Sequence, residues 1–257
     1  MEYCTYELTY SIHSLINDAI KFTNEGLKVA VFLDMDRTVT QGIISNPEYK
    51  LTDEDIRDGV KSGIDELIEQ GCIVSILTAR GNGSQIDPNG NELLHRYPTD
   101  LSNVLGEKWG KHNAFNFKEE FISKKLVVND KQMKGINGES FYVTYDTRKG
   151  HGSFIYGGGK QEKCCDYGVK GGVIVSLVMN NLLKFKPDIV LFGDNAAFNI
   201  YEVKLSLDKH KIKSKVYHIA NLPGTQRDQL NPLSSSLPYA DDKVFSSWEE
   251  LVVSKGQ

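Results

Sequence analysis

Two carboxylates, Asp34 and Asp36, stand two residues apart at the end of the apolar run Val29-Ala-Val-Phe-Leu33, and a hydroxyl, Thr38, follows at the same spacing. An apolar run of this length, rich in β-branched residues, reads as a fully buried strand of a parallel sheet. Acids just beyond its carboxyl end stand where open α/β sheets bind ligands. Like charges clustered beside a hydrophobic core are costly unless a cation compensates them. The simplest compensation is a bound hard metal ion together with a lysine. Two more apolar runs end in polar groups: Cys72-Ile-Val-Ser-Ile-Leu closes on Thr78, and Ile189-Val-Leu-Phe-Gly closes on Asp194. Lys170 opens the helix that leads into the Asp194 strand.

The elements that must position these groups follow from periodicity. Ile12, Leu15, Ile16, Ala19 and Ile20 predict an amphipathic helix before the first apolar strand, ending near Gly26. Thr52 is expected to cap a second helix whose first turn carries Asp53, Glu54 and Asp55, with a buried stripe of Ile56, Val60, Ile64, Leu67 and Ile68. Gly71 stops it and the Thr78 strand follows, so strand, helix and strand form a right-handed parallel unit. From Gly81 to about residue 160 the texture changes, with strand-like runs at Leu126–Val128, Ser140–Tyr145 and Ser153–Tyr156 but no helix–strand alternation. This stretch is expected to be an α+β insertion rather than a continuation of the sheet. Regular order resumes with a helix from Lys170 to Phe185, broken by Pro187, then the Asp194 strand, a helix to about His210, and a strand at Val216–Ala220. A tail with prolines and serines precedes a short capped helix at Ser247–Glu250. The expected architecture is α/β: a doubly wound, Rossmann-like parallel sheet core over residues 1–81 and 161–257, with a cap-like α+β insertion at 82–160.

Taken in order, Asp34-x-Asp36-x-Thr38, Leu-Thr78-Ala-Arg80, Lys170-Gly171 and Phe-Gly-Asp194-Asn195 resemble the four motifs of the haloacid dehalogenase-like superfamily, mostly aspartate-based phosphohydrolases. The match spans roughly residues 28–80 and 150–220, and its later part is similar to a poorly characterised bacterial branch. The resemblance implies that Asp34 is the nucleophile, forming an acyl phosphate. Asp36 is then the acid that protonates the leaving oxygen and the base that activates water. Mg2+ is the implied ion, since it prefers carboxylates, waters and substrate phosphate. Asp34, the backbone carbonyl of Asp36 and Asp194 are its implied ligands, with Asn195 standing where many relatives carry a second acid. Lys170 clamps the nucleophile and a phosphoryl oxygen, Thr78 binds other phosphoryl oxygens, and Arg80 is placed to reach a substrate anion. Asn199 occupies a position often held by Asn in that branch. Each residue alone has a plainer role: Asp34 and Asp36 as a solvated turn, Thr78 as a strand-end hydroxyl, Lys170 as a surface residue, Asp194 as a helix cap. Lys160 and Lys163 rival Lys170, which is preferred because Gly171 follows it. The implied function is Mg2+-dependent hydrolysis of a phosphorylated substrate, a small molecule before a phosphoprotein. Phosphotransfer to another acceptor and a non-catalytic binding module on the same scaffold are the alternatives. The longer insertion after the second motif is expected to cover the site, with Tyr142, Tyr145, His151 and Tyr156 as lining candidates.

Other signatures fail. As a calcium loop, the Asp34 segment has Val39 at the glycine position and Ser45 at the bidentate-glutamate position. Gly157-Gly-Gly-Lys160 lacks the glycine and hydroxyl of a phosphate loop, since Phe154 and Gln161 occupy those places. The six histidines have no metal spacing and the four cysteines no C-x-x-C. A net charge of −4 leaves no footprint for nucleic acid, and the basic run Lys209, Lys211, Lys213 and Lys215 reads as a solvated helix end. No apolar stretch reaches the roughly 20 residues of a membrane span. With no basic, apolar leader in its first ten residues, the chain is expected in a reducing cytosol.

Overall fold

Val29–Leu33 is buried at every position, because its side chains alternate between two separate apolar layers. Val29, Val31 and Leu33 point into one layer, and Ala30 and Phe32 into the other. The computed structural model describes residues 2–42, 50–78, 96–116, 130–134, 140–144, 152–157, 169–220 and 244–255. In chain order these form β1 (Cys4–Thr9), α1 (His13–Asn24), β2 (Val29–Leu33), α2 (Val60–Glu69), β3 (Ile73–Thr78), α3 (Arg96–Leu105) and α4 (Glu107–Lys111). They continue as β4 (Asp130–Lys134), β5 (Ser140–Thr144), β6 (Phe154–Gly157), α5 (Val169–Met179), β7 (Ile189–Asp194), α6 (Ala197–Lys209), β8 (Ser214–Ile219) and α7 (Trp248–Lys255).

The strands make one sheet in the order β1-β8-β7-β2-β3-β6-β5-β4. The six from β1 to β6 in that order are mutually parallel, and β5 and β4 add on antiparallel. α1 to α4 cover one face and α5 to α7 the other, so the chain has an α/β fold with a parallel sheet between helical layers. β2 lies between β3 and β7, whose connections leave toward opposite edges. Open sheets of this kind bind ligands beyond the carboxyl ends of the strands where the connections part, here β2 and β7. Among the described residues, no helix is long and apolar enough to cross a membrane.

Several elements differ from the sequence reading. β1, a strand ahead of α1, was not anticipated; it is an edge strand with partly exposed positions and therefore a weak apolar signal. Thr52 does not open the second helix. It closes a single turn at Asp53–Asp55 through a reciprocal box with Asp55, and α2 begins only after Gly59, whose φ is +78°. α5 ends at Met179, not Phe185, because Asn181 takes a left-handed conformation (φ 52°) that Asn tolerates well. The strands expected inside an insertion join the main sheet instead: β6 pairs with β3, and β5 pairs with β6. Pairing across so many residues leaves no local trace in sequence. α3 and α4 also escaped notice, and they pack against the sheet through Leu101, Leu105 and Trp109. Leu126–Val128 lies outside the described residues.

Candidate active site

Asp34 leaves the sheet at the tip of β2, where its amide still donates to Gly193 O at 2.9 Å and so continues the ladder to β7. The next residues make one wide turn. Thr40 N closes it on Met35 O at 2.9 Å, with Asp36 extended and Arg37 left-handed (φ 61°). A non-glycine residue held there costs on the order of 1 kcal/mol, so the surroundings must impose it. They do: Arg57 donates from Nη2 to Arg37 O (2.8 Å) and from its amide to Val39 O (2.9 Å), while Gln41 N donates to Asp55 O (2.7 Å). The turn after Thr52 thus acts as a brace for the acidic loop.

Lys170 comes from the first turn of α5 and is 1% exposed. Its ammonium donates to Asp34 Oδ1 at 2.5 Å and to Asp194 Oδ2 at 2.6 Å. Asp194, fully buried at the tip of β7, also accepts from Asn199 Nδ2 at 2.9 Å and, through Oδ1, from Ala196 N at 2.8 Å. α5 is held in place by α6, since Gly171 N donates to Glu202 Oε2 at 2.8 Å. Burial pushes the Asp34 carboxyl up to about 8; Lys170 pulls against that shift, and the charges of Asp194 and Asp36 reinforce it. Burial also disfavours the Lys170 ammonium, but Asp194 and Asp34 together outweigh it, and its pKa is raised.

The structure therefore brings Asp34, Lys170 and Asp194 to one point, with Asp36 half-buried two residues beyond Asp34 and Asn195 half-buried beside Asp194. Thr78 is buried at the tip of β3, the strand next to β2. Arg80, Lys160, Lys163, Tyr145 and His151 lie outside the described residues, as do the side chains of Tyr142 and Tyr156. Three residues that support the site were not assigned to it from sequence: Arg57, Glu202 and His218, the last set aside with the other histidines and here placing its Nε2 3.0 Å from Asn195 O. None carries a motif; each is recognisable only once the partner elements are placed.

Among the described residues, no three His, Cys, Asp or Glu side chains are grouped to hold a metal ion. The donor set inferred from sequence asks for less: two carboxylates, a backbone carbonyl and an amide oxygen. Mg2+ commonly keeps several waters and takes only one or two protein carboxylates. The local chemistry suits such an ion. Two buried carboxylates, Asp34 and Asp194, share one ammonium, and the buried Asn199 Oδ1 and Thr38 hydroxyl have no hydrogen-bond partner among the described residues. No protein-family model, no curated protein and no solved structure matches this chain.

Proposed function

We propose that the protein is a Mg2+-dependent phosphomonoesterase working through an aspartyl phosphate on Asp34, on a doubly wound, Rossmann-like core. The observation that carries this reading is the single ammonium of Lys170 shared by Asp34 and Asp194 at the tips of adjacent parallel strands. A buried carboxylate drawn toward its protonated form by burial is a poor nucleophile. A second cation beside Asp34 and Asp194 would restore its charge. Bound there through Asp34, the Asp36 carbonyl, Asp194 and Asn195, Mg2+ would supply positive charge against the phosphoryl oxygens.

The chain's own groups account for the rest. Lys170 engages Asp34 Oδ1, so attack through Oδ2 keeps that contact intact. The bond from Oδ2 to phosphorus forms as the bond to the leaving oxygen breaks, and Asp36 delivers the proton that the leaving alkoxide takes. Water then attacks the acyl phosphate while Asp36 accepts its proton, which releases phosphate and restores Asp34. Thr78 and Lys170 hold the non-bridging oxygens, and Arg80 is placed for a distal anion of the substrate. Within 82–160, the residues outside α3, α4 and β4 to β6 are proposed to supply cover and specificity. The substrate is proposed to be a small phosphorylated molecule met in the cytosol, where the free, buried thiols Cys4 and Cys72 stay reduced.

The test is hydrolysis of a generic aryl phosphate. Release of phosphate should require Mg2+, stop with EDTA, and fall at least about a thousandfold in Asp34→Asn, because the nucleophile itself is lost. Activity that survives either change contradicts the reading.

A further inference from the structure

We propose that His218 is a positioning residue for the metal-binding end of this site: its ring holds the Asn195 carbonyl and so fixes the turn that presents Asp194 and Asn195. The proposal rests on the phosphomonoesterase reading. His218 sits in β8 directly opposite Asp194 in the parallel register and is 1% exposed. Its Nε2 lies 3.0 Å from Asn195 O, and a carbonyl can only accept, so the ring proton belongs on Nε2. Nδ1 then carries a lone pair, and the Tyr6 hydroxyl stands 3.4 Å from it while donating to Phe245 O at 2.7 Å.

The turn after Asp194 is thus braced from both sides. Asp194 Oδ1 holds Ala196 N from within, and His218 holds Asn195 O from without. The Tyr6 hydroxyl of β1 donates its one proton to Phe245 O and only borders Nδ1, so the bond that orients the ring is the one from Nε2 to Asn195 O. Groups that orient metal ligands from the outer shell typically matter about 10- to 100-fold in metal affinity or activity.

The experiment measures the Mg2+ dependence of aryl phosphate hydrolysis, and of thermal unfolding, for wild type, His218→Ala, His218→Gln and Tyr6→Phe. In His218→Ala the Mg2+ concentration for half-maximal rate should rise at least about tenfold, with a smaller change in kcat at saturating Mg2+. A glutamine amide can place an N–H near the position of Nε2, so His218→Gln should return to within about threefold of wild type. Tyr6→Phe should shift the Mg2+ dependence less than alanine does. An alanine variant with unchanged Mg2+ dependence, or a glutamine variant no better than alanine, overturns the proposal. If His218→Ala does not fold, His218→Leu takes its place under the same limits, with His218→Gln again required to do better. A wild-type protein that neither hydrolyses the ester nor gains thermal stability from Mg2+ overturns the site reading, and this proposal with it. Mg2+-dependent wild-type activity with an unaffected alanine variant overturns this proposal alone.

Discussion

Lys170 is the only described cation whose ammonium engages both Asp34 and Asp194, and its removal should expose the electrostatic debt of the site. Breaking a buried ion pair from one side typically costs about 3 to 5 kcal/mol, because the partner charge is left unpaired. Lys170→Met should therefore lose about 3 kcal/mol of stability in urea without metal, and saturating Mg2+ should return part of it. A variant as stable as wild type, or one indifferent to Mg2+, would show that the ammonium does not balance these acids. At this scale much was legible in sequence. Asp34, Lys170 and Asp194 each mark a strand tip or helix start, and the structure brings the three together. Arg57, Glu202 and His218 were not legible, since each acts on a backbone group of another element and such contacts have no fixed spacing.

Close approach of helices decides where Lys170 stands. A Cβ on Gly171 would lie 2.6 Å from Ser206 Cβ, which is fixed to the α6 backbone, so Gly171→Ala must push α5 from α6. Overpacking of this kind costs about 1 to 3 kcal/mol. A shift of about 1 Å at a reacting group can cost about a hundredfold in rate, so kcat should fall at least tenfold. Gly63 gives the control. Its added Cβ would meet Ile16 Cδ1 at 2.0 Å, between α1 and α2 on the opposite face of the sheet. Gly63→Ala should destabilise by a similar ~1–3 kcal/mol while leaving kcat unchanged. Equal kinetic effects from the two variants would mean that α5 does not set the geometry of the lysine. The buried strands and the stripes of α1 and α2 could be read from periodicity. The start of α2 and the end of α5 could not, because Gly59 and Asn181 override the propensity around them with left-handed backbone.

The order of the sheet was the least legible feature, as β6 joins β3 from 76 residues later, counted from Thr78 to Phe154. A polar seam around the end of α4 ties β3 to the start of β6. His112 Nε2 accepts from Val74 N (3.1 Å), Ser153 Oγ accepts from Ala114 N (2.7 Å), and Ser75 Oγ donates to Ser153 O (3.0 Å). Burial, with the Lys184 charge, lowers the His112 pKa from 6.5 to about 4, and the Val74 amide already occupies the lone pair a proton would need. A depressed folded pKa means that the contribution to stability is complete above about 6.5 and is lost as pH falls toward 4. Across that window wild type should lose up to about 3 kcal/mol more than His112→Gln, read from thermal or urea unfolding as a function of pH. Parallel pH profiles for the two proteins would remove His112 from the account of acid stability.

The central claim is that Asp34 attacks phosphorus. Its most direct test is to quench the protein during turnover with Mg2+ and an aryl phosphate, reduce it with borohydride, and map the peptides. The account predicts homoserine in place of Asp34, formed only when substrate and Mg2+ were both present. Turnover with residue 34 unmodified, or with the label on another side chain, would contradict it.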